Sequence, residues 1–124
     1  MIVGTPLAIA QILSFDDGEG SKQDTIFQIP EGKWFVMEAV GVNAFLQPNQ
    51  DLVVFVAPFL DNGAYTFPIV LNGESDSADP AYKIRRFGSQ SLTLYADGRL
   101  DIIASRSVTT GITHVEFNIS GRLV

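Results

Sequence analysis

Two stretches of this chain are apolar on both faces of an extended strand, and that limits what it can fold into. In Lys33–Leu46 one alternating set is Trp34, Val36, Glu38, Val40, Val42, Ala44 and Leu46, and the other is Phe35, Met37, Ala39, Gly41, Asn43 and Phe45. In Asp51–Leu60 the sets are Leu52, Val54, Val56, Pro58, Leu60 and Val53, Phe55, Ala57, Phe59. An antiparallel sandwich buries one face of each sheet and wets the other, so its strands should alternate apolar and polar. A strand with two apolar faces needs a second cover. In a chain of 124 residues the nearest cover is another copy of itself. The expected subunit contact is Trp34, Val36, Glu38, Val40, Val53 and Phe55.

The rest of the chain reads as strands, with no helical period sustained over ten residues. Runs rich in Val, Ile, Phe, Tyr and Thr cover Leu7–Phe15, Thr25–Ile29, Trp34–Leu46, Leu52–Leu60, Tyr65–Leu71, Tyr82–Phe87, Ser91–Ala96, Leu100–Ser107 and Thr113–Val124. Turn residues separate them: Pro30-Glu31-Gly32, Pro48-Asn49, Asn62-Gly63, Asn72-Gly73, Gly88-Ser89 and Asp97-Gly98. Two loops, Asp16–Asp24 and Asn72–Asp79, are long and acidic. The last run alternates cleanly: Thr113, Val115, Phe117, Ile119, Gly121 and Leu123 on one face, a largely polar set including His114 and Glu116 on the other. The pattern predicts one domain over residues 1–124, an all-β antiparallel β-sandwich of about 8–10 strands.

Composition removes several function classes. Fourteen acidic residues against eight basic give a net charge of −6, which offers phosphate backbones no electrostatic footprint. The absence of cysteine excludes disulfides, thiolate metal sites and cysteine nucleophiles. No apolar run approaches the roughly 20 residues that a membrane-spanning helix needs. The first ten residues lack Lys and Arg and are broken by Pro6, a poor match to a secretory signal. Compartment is left open.

Three segments carry a family likeness. Phe27-Gln-Ile-Pro30-Glu-Gly32-Lys-Trp34-Phe35 resembles the Phe-x-x-Pro-x-x-Gly-x-Tyr-x-Phe signature of the complement globular-head and tumour-necrosis-factor-like jelly rolls, with the Pro-to-Gly spacing one residue shorter. Val115-Glu-Phe117-Asn-Ile-Ser120-Gly121-Arg-Leu123-Val resembles that group's closing strand, with an extra residue before Ser120-Gly121. Leu92-Thr-Leu-Tyr-Ala-Asp97-Gly98-Arg-Leu100 stands where the group has two apolar strands about a Gly-Asp turn. The chain is also similar to small uncharacterised bacterial sandwich proteins ending in Ser-Gly-x-Leu-Val. The jelly-roll resemblance implies a ten-stranded sandwich that assembles as a trimer around an apolar axis. It carries over no receptor-binding residue.

Candidate sites are few. His114 is the single histidine and falls on a polar strand face, so a surface role is expected; a triad would need a nucleophile and an orienting partner beside it. Asp16–Glu19 and Glu74–Asp79 supply hard oxygens but lack the regular ligand spacing of a calcium loop, so no metal and no cofactor are expected. Asn118-Ile-Ser120 matches a glycosylation sequon without an accompanying signal. Glu38 sits in an apolar run, where a carboxylate is costly unless paired. Its partner is either an arginine such as Arg85, Arg86 or Arg106 across an interface, or water at a strand rim. Tyr65 and Tyr82 flank turns and are the faces on which a sugar ring would stack. The leading expectation is a non-catalytic structural module forming a homo-oligomer, most simply a trimer. The alternative is a carbohydrate-binding module using Tyr65 and Tyr82. A hydrolase is disfavoured by the single histidine and the lack of a paired-carboxylate motif.

Overall fold

The computed structural model describes residues 4–61, 63–78 and 81–124. Asn62 of the expected Asn62-Gly63 turn, Asp79 of the second acidic loop and Met1–Val3 lie outside them. Within them the chain is all-β, with ten strands: β1 Thr5–Phe15, β2 Ser21–Gln28, β3 Phe35–Leu46, β4 Leu52–Leu60, β5 Gly63–Ala64, β6 Phe67–Ile69, β7 Gly73–Asp76, β8 Ile84–Ala96, β9 Arg99–Arg106 and β10 Thr113–Leu123. One sheet runs β1-β10-β3-β8-β7; the other runs β2-β9-β4-β5, with β6 also on β4. Every pairing is antiparallel. The pairs are nested: β1 with β10, β2 with β9, β3 with β8, β4 with β5 and β6, alternate pairs falling in alternate sheets. This is a long hairpin rolled into a sandwich, the jelly roll expected from the sequence.

The core lies between the sheets. Phe15, Phe35, Met37, Leu46, Leu100, Ile102, Phe117 and Ile119 are its largest fully buried apolar side chains. Phe27 packs edge-on against Phe35, ring centroids 5.6 Å apart. Burying one such ring stabilises the fold by about 1.5–3 kcal/mol relative to leaving it in water.

The alternation read for Trp34–Leu46 holds only in part. Phe35 and Met37 point into the core, and so do Val40, Val42, Ala44 and Leu46. The inward set changes from odd to even at Glu38, where the register shifts against both β10 and β8. One residue is bulged out, and side chains beyond it swap faces. Thus β3 reads as two-faced because two inward half-strands of opposite parity are joined. Its outward positions beyond the bulge are Ala39, Gly41, Asn43 and Phe45, mostly small or polar.

Three further boundaries differ from expectation. The loop expected over Asp16–Asp24 ends before Ser21, since Ser21–Asp24 pairs with β9 as the start of β2. Gly88-Ser89 is not a turn but the middle of β8, which merges two expected runs. Gly88 is required there by close approach: a Cβ would run into the carbonyl oxygen of Val70. Asn72–Asp79 is not all loop, since Gly73–Asp76 pairs with β8.

One end of the sandwich is organised by Arg106, 5% exposed. Its Nε donates to the carbonyl of Glu19 at 2.7 Å. Nη1 donates to the Gly111 carbonyl and the Thr113 hydroxyl, and Nη2 to the carbonyls of Asp16 and Thr109, at 2.8–2.9 Å. All five guanidinium donors are used, which is what a buried cation without a carboxylate partner requires. The Thr113 hydroxyl donates on to Gln50, whose amide donates to the carbonyls of Val108 and Thr110. Three loops are thereby tied together.

Candidate functional site

In β4, Leu52, Val54, Val56 and Pro58 face inward and are buried, with no bulge to switch the parity. Val53, Phe55, Ala57 and Phe59 therefore face outward. Here the two-faced reading is correct. Phe55 is flanked in register by Ile103 on β9 and Pro68 on β6. Val53 lies beside this row and is 53% exposed. Ile103, Phe55, Pro68 and Val53 thus make an apolar patch on a face that a sandwich normally gives to water. Ser21 and Ser105 border it, their hydroxyls hydrogen-bonded at 2.9 Å.

Beyond the patch, Asp101 stands on the same outward face, yet its side chain is only 3% exposed. Gln23 Nε2 donates to it at 2.8 Å, the Thr25 hydroxyl at 2.7 Å, and Arg99 Nε lies 3.2 Å away. The Arg99 guanidinium also stacks 4.0 Å from the centre of the Phe59 ring. The charge is neutralised within the chain, so this corner is a closed structural unit.

The six residues expected at a subunit contact do not form one surface. Val40 belongs to the core and is 1% exposed. Val36 lies on the outer face of the first sheet and is buried there. Trp34 precedes β3, is 45% exposed and exchanges two backbone hydrogen bonds with Val124. Glu38, on the bulge, is 3.5 Å from Arg122 of the same chain, both side chains partly exposed, and its partner is none of Arg85, Arg86 and Arg106. Val53 and Phe55 alone share the β4 face, and Ile103 and Pro68 complete it. Those two were not singled out in the sequence because only strand pairing brings them beside β4.

A second concave feature lies where β4, β6 and β8 meet. Pro58, Leu60, Tyr65, Phe67, Thr93, Leu94 and Tyr95 line a mostly apolar groove of about 390 Å³. Tyr65 and Tyr95 stand 48% and 52% exposed at it. Tyr82, the other expected sugar-stacking residue, sits near the opposite end of β8, against Phe45 at 5.8 Å and His114 at 6.3 Å between ring centroids. The structure therefore pairs Tyr65 with Tyr95 and separates it from Tyr82.

His114 is half-buried. Its Nε2 lies 3.2 Å from Glu116 Oε1, and its ring meets Phe45 edge-on. The acids of the first loop are engaged with their neighbours: Asp17 accepts the Gly111 N–H at 2.7 Å, and Glu19 accepts the Asp16 N–H at 2.8 Å and pairs with Lys22 at 3.2 Å. The Asp16 N–H, and then Lys22, hold the Glu19 carboxyl below its ordinary value. Among the described residues no group of three His, Asp or Glu side chains is placed to hold a metal, and no helix is long and apolar enough to cross a membrane.

No protein-family model matches this chain, and no curated protein resembles it in sequence. Solved structures share its architecture. A chain of the cyanophage Pam1 capsid asymmetric unit superposes with a TM-score of 0.52 at 12% identity, over 96% of this chain and 85% of that one. A chain of the acid-stable capsid of Helicobacter pylori bacteriophage KHP30 gives 0.53 at 12% identity, over 99% and 94%. The Eiger TNF of S. frugiperda overlaps at 0.45 and 11% identity, over 97% and 94%. At these identities the capsid likenesses establish the fold class, an all-β jelly roll.

Proposed function

We propose that this chain is a non-catalytic assembly module that forms a homo-oligomer, most simply a trimer, with the outward face of β4 at the contact. One observation carries the reading: Val53 stands 53% exposed beside Phe55, Ile103 and Pro68 on the outward face of β4, away from the corner where Ala57 and Asp101 are buried. Contiguous exposed apolar surface of this kind marks an interaction site. The likeness to chains in two phage capsid structures supports an assembly role. The trimer follows from the resemblance to the tumour-necrosis-factor-like jelly rolls. The test is light scattering coupled to size exclusion. Wild type is expected to run as an oligomer at micromolar concentration with a melting temperature that rises with protein concentration, and Val53→Glu to lower the mass and remove that concentration dependence while the circular dichroism of the folded sandwich is kept. A monodisperse wild-type monomer would overturn the proposal.

The second reading is a carbohydrate-binding module, and the observation favouring it is the groove between Tyr65 and Tyr95. Exposed tyrosine faces beside polar groups suit a sugar ring. Specific signal on a glycan array, removed by Tyr65→Ala and kept by Tyr82→Ala, would place this reading first.

A further inference from the structure

A sheet edge presents a row of unpaired N–H and C=O groups, and proteins blunt such edges with charges, proline, bulges or shortness. Three of the four edges here carry those devices. On β2 they are Lys22, Asp24 and a register shift between Thr25 and Phe27. The β7 edge has four residues, including Glu74 and Asp76. The edge beyond β4 is made of β5 and β6, two and three residues long, with Pro68. The fourth edge, β1, differs. All eleven of its residues pair with β10 without a register shift, and Thr5–Phe15 contains no charged side chain. Its one blunting residue, Pro6, is at the very start. Its inward side chains Leu7 and Ile9 remain half-exposed, whereas Val115, Phe117 and Ile119 on the adjacent strand are 0–2% exposed. The flank of the core is therefore open along the first half of β1; beyond it Gln11 donates to Asp24 of β2 at 2.9 Å, and Leu13 and Phe15 are buried.

We infer that β1 is a strand-addition edge whose partner is β1 of a second copy, paired antiparallel about a two-fold axis. Symmetry favours the second copy: an uncharged strand of eleven residues without a register shift pairs with its own inverse along its length, and although the chain carries −6 overall, two copies that meet through β1 bring no charged β1 side chains opposite one another. The outward positions near the middle of β1 are Ala8 and Ala10, which leave room for the incoming strand at the ~4.8 Å spacing of a sheet. An added strand would satisfy the free backbone groups and cover Leu7 and Ile9. The inference rests on the reading of the chain as a self-assembling module and adds a contact separate from the β4 face. An isologous β1 contact combined with a rotational β4 contact links oligomers to one another.

The chain has no cysteine, so single cysteines report the contact directly. In an antiparallel pair about a two-fold, only one residue faces its own copy, at a Cα separation of about 4.5–5.5 Å, within disulfide reach. A cysteine scan from Ala8 to Ile12 is expected to give one position that oxidises to a covalent dimer far better than its immediate neighbours. Adding Val53→Glu should leave that cross-link intact, and Ala10→Lys with Ile12→Lys should abolish it while circular dichroism still shows the folded sandwich. If no position cross-links, or all do equally, the self-pairing is overturned. If β1 amides gain protection from hydrogen exchange only when a foreign extended peptide is added, the edge belongs to another strand and the self-pairing is again overturned. Loss of the mass change on Val53→Glu with the cysteine pattern intact would sink the β4 contact alone.

Discussion

At the scale of single residues, Arg106 shows how the interior holds a cation without a counter-charge. Its planar fork matches five acceptors supplied by two loops and Thr113, and lysine has neither the geometry nor the donor count to replace it. Arg106→Lys is expected to cost about 3 kcal/mol or more, since buried carbonyls lose their donors; chemical denaturation would measure it. Phe117, 1% exposed, is the reference for packing. Phe117→Ala should cost about 3–5 kcal/mol, while His114→Ala, at the surface beside Glu116, should cost about 0.5 kcal/mol. A reversal of that order would mean that β10 is out of register by one residue. Glu19 supplies a pH dependence. Its folded carboxyl titrates below the ordinary 4.5, so its stabilisation is present above that value and fades as pH falls through the lower folded value. Glu19→Gln should flatten the stability curve in that acid window, and an unchanged curve would show that the Asp16 and Lys22 contacts do not hold in solution.

At the scale of elements, β3 and β4 look alike in sequence and behave differently. In β3 the second apolar face is spent within the chain, because the bulge at Glu38 lets Phe35 and Met37 and then Val40 to Leu46 all reach one core. Glu38 was the visible mark of the break: a charge sits where an uninterrupted inward face would have needed an apolar residue. In β4 parity is kept, and the second face is exposed at Val53, partly buried at Phe55 and Phe59 and buried at Ala57. Val56→Ala, at 0% exposure, should cost about 2 kcal/mol, and Val53→Ala almost nothing in a monomer. If Val53→Ala lowers the melting temperature in step with protein concentration, the face is buried between subunits. Gly88 was read as punctuation because glycine most often marks turns; here it makes room for the backbone at Val70, a contact between segments eighteen positions apart.

At the scale of the whole molecule, the fold is one of nested, distant pairings. Thr5 pairs with Leu123, and β10 lies between β1 and β3, so closure of the first sheet needs both ends of the chain. Loop closure must precede most of the native contacts, which makes refolding slow, in roughly the millisecond-to-second range expected for sandwiches of this kind. Stopped-flow refolding in well under a millisecond would contradict this topology. The same closure places the proposed contact surfaces: the β4 patch and the β1 edge lie on strands, and the groove joins strand residues to Tyr65 in the connection between β5 and β6.

The sequence by itself determined the all-β class, the place of most strands along the chain and the inward face of strands such as β10, because the two-residue alternation of side chains is a local property of extended backbone. The inward row of β10 and the uncharged length of β1 are both legible in this way. Tertiary structure alone decided which apolar faces remain uncovered. The bulge at Glu38, the alignment of Ile103 and Pro68 with Phe55, the meeting of Tyr65 and Tyr95 at one groove and the enclosure of Arg106 all arise where segments distant in sequence meet. No local period encodes a register between strands, and register sets which side chains share a surface.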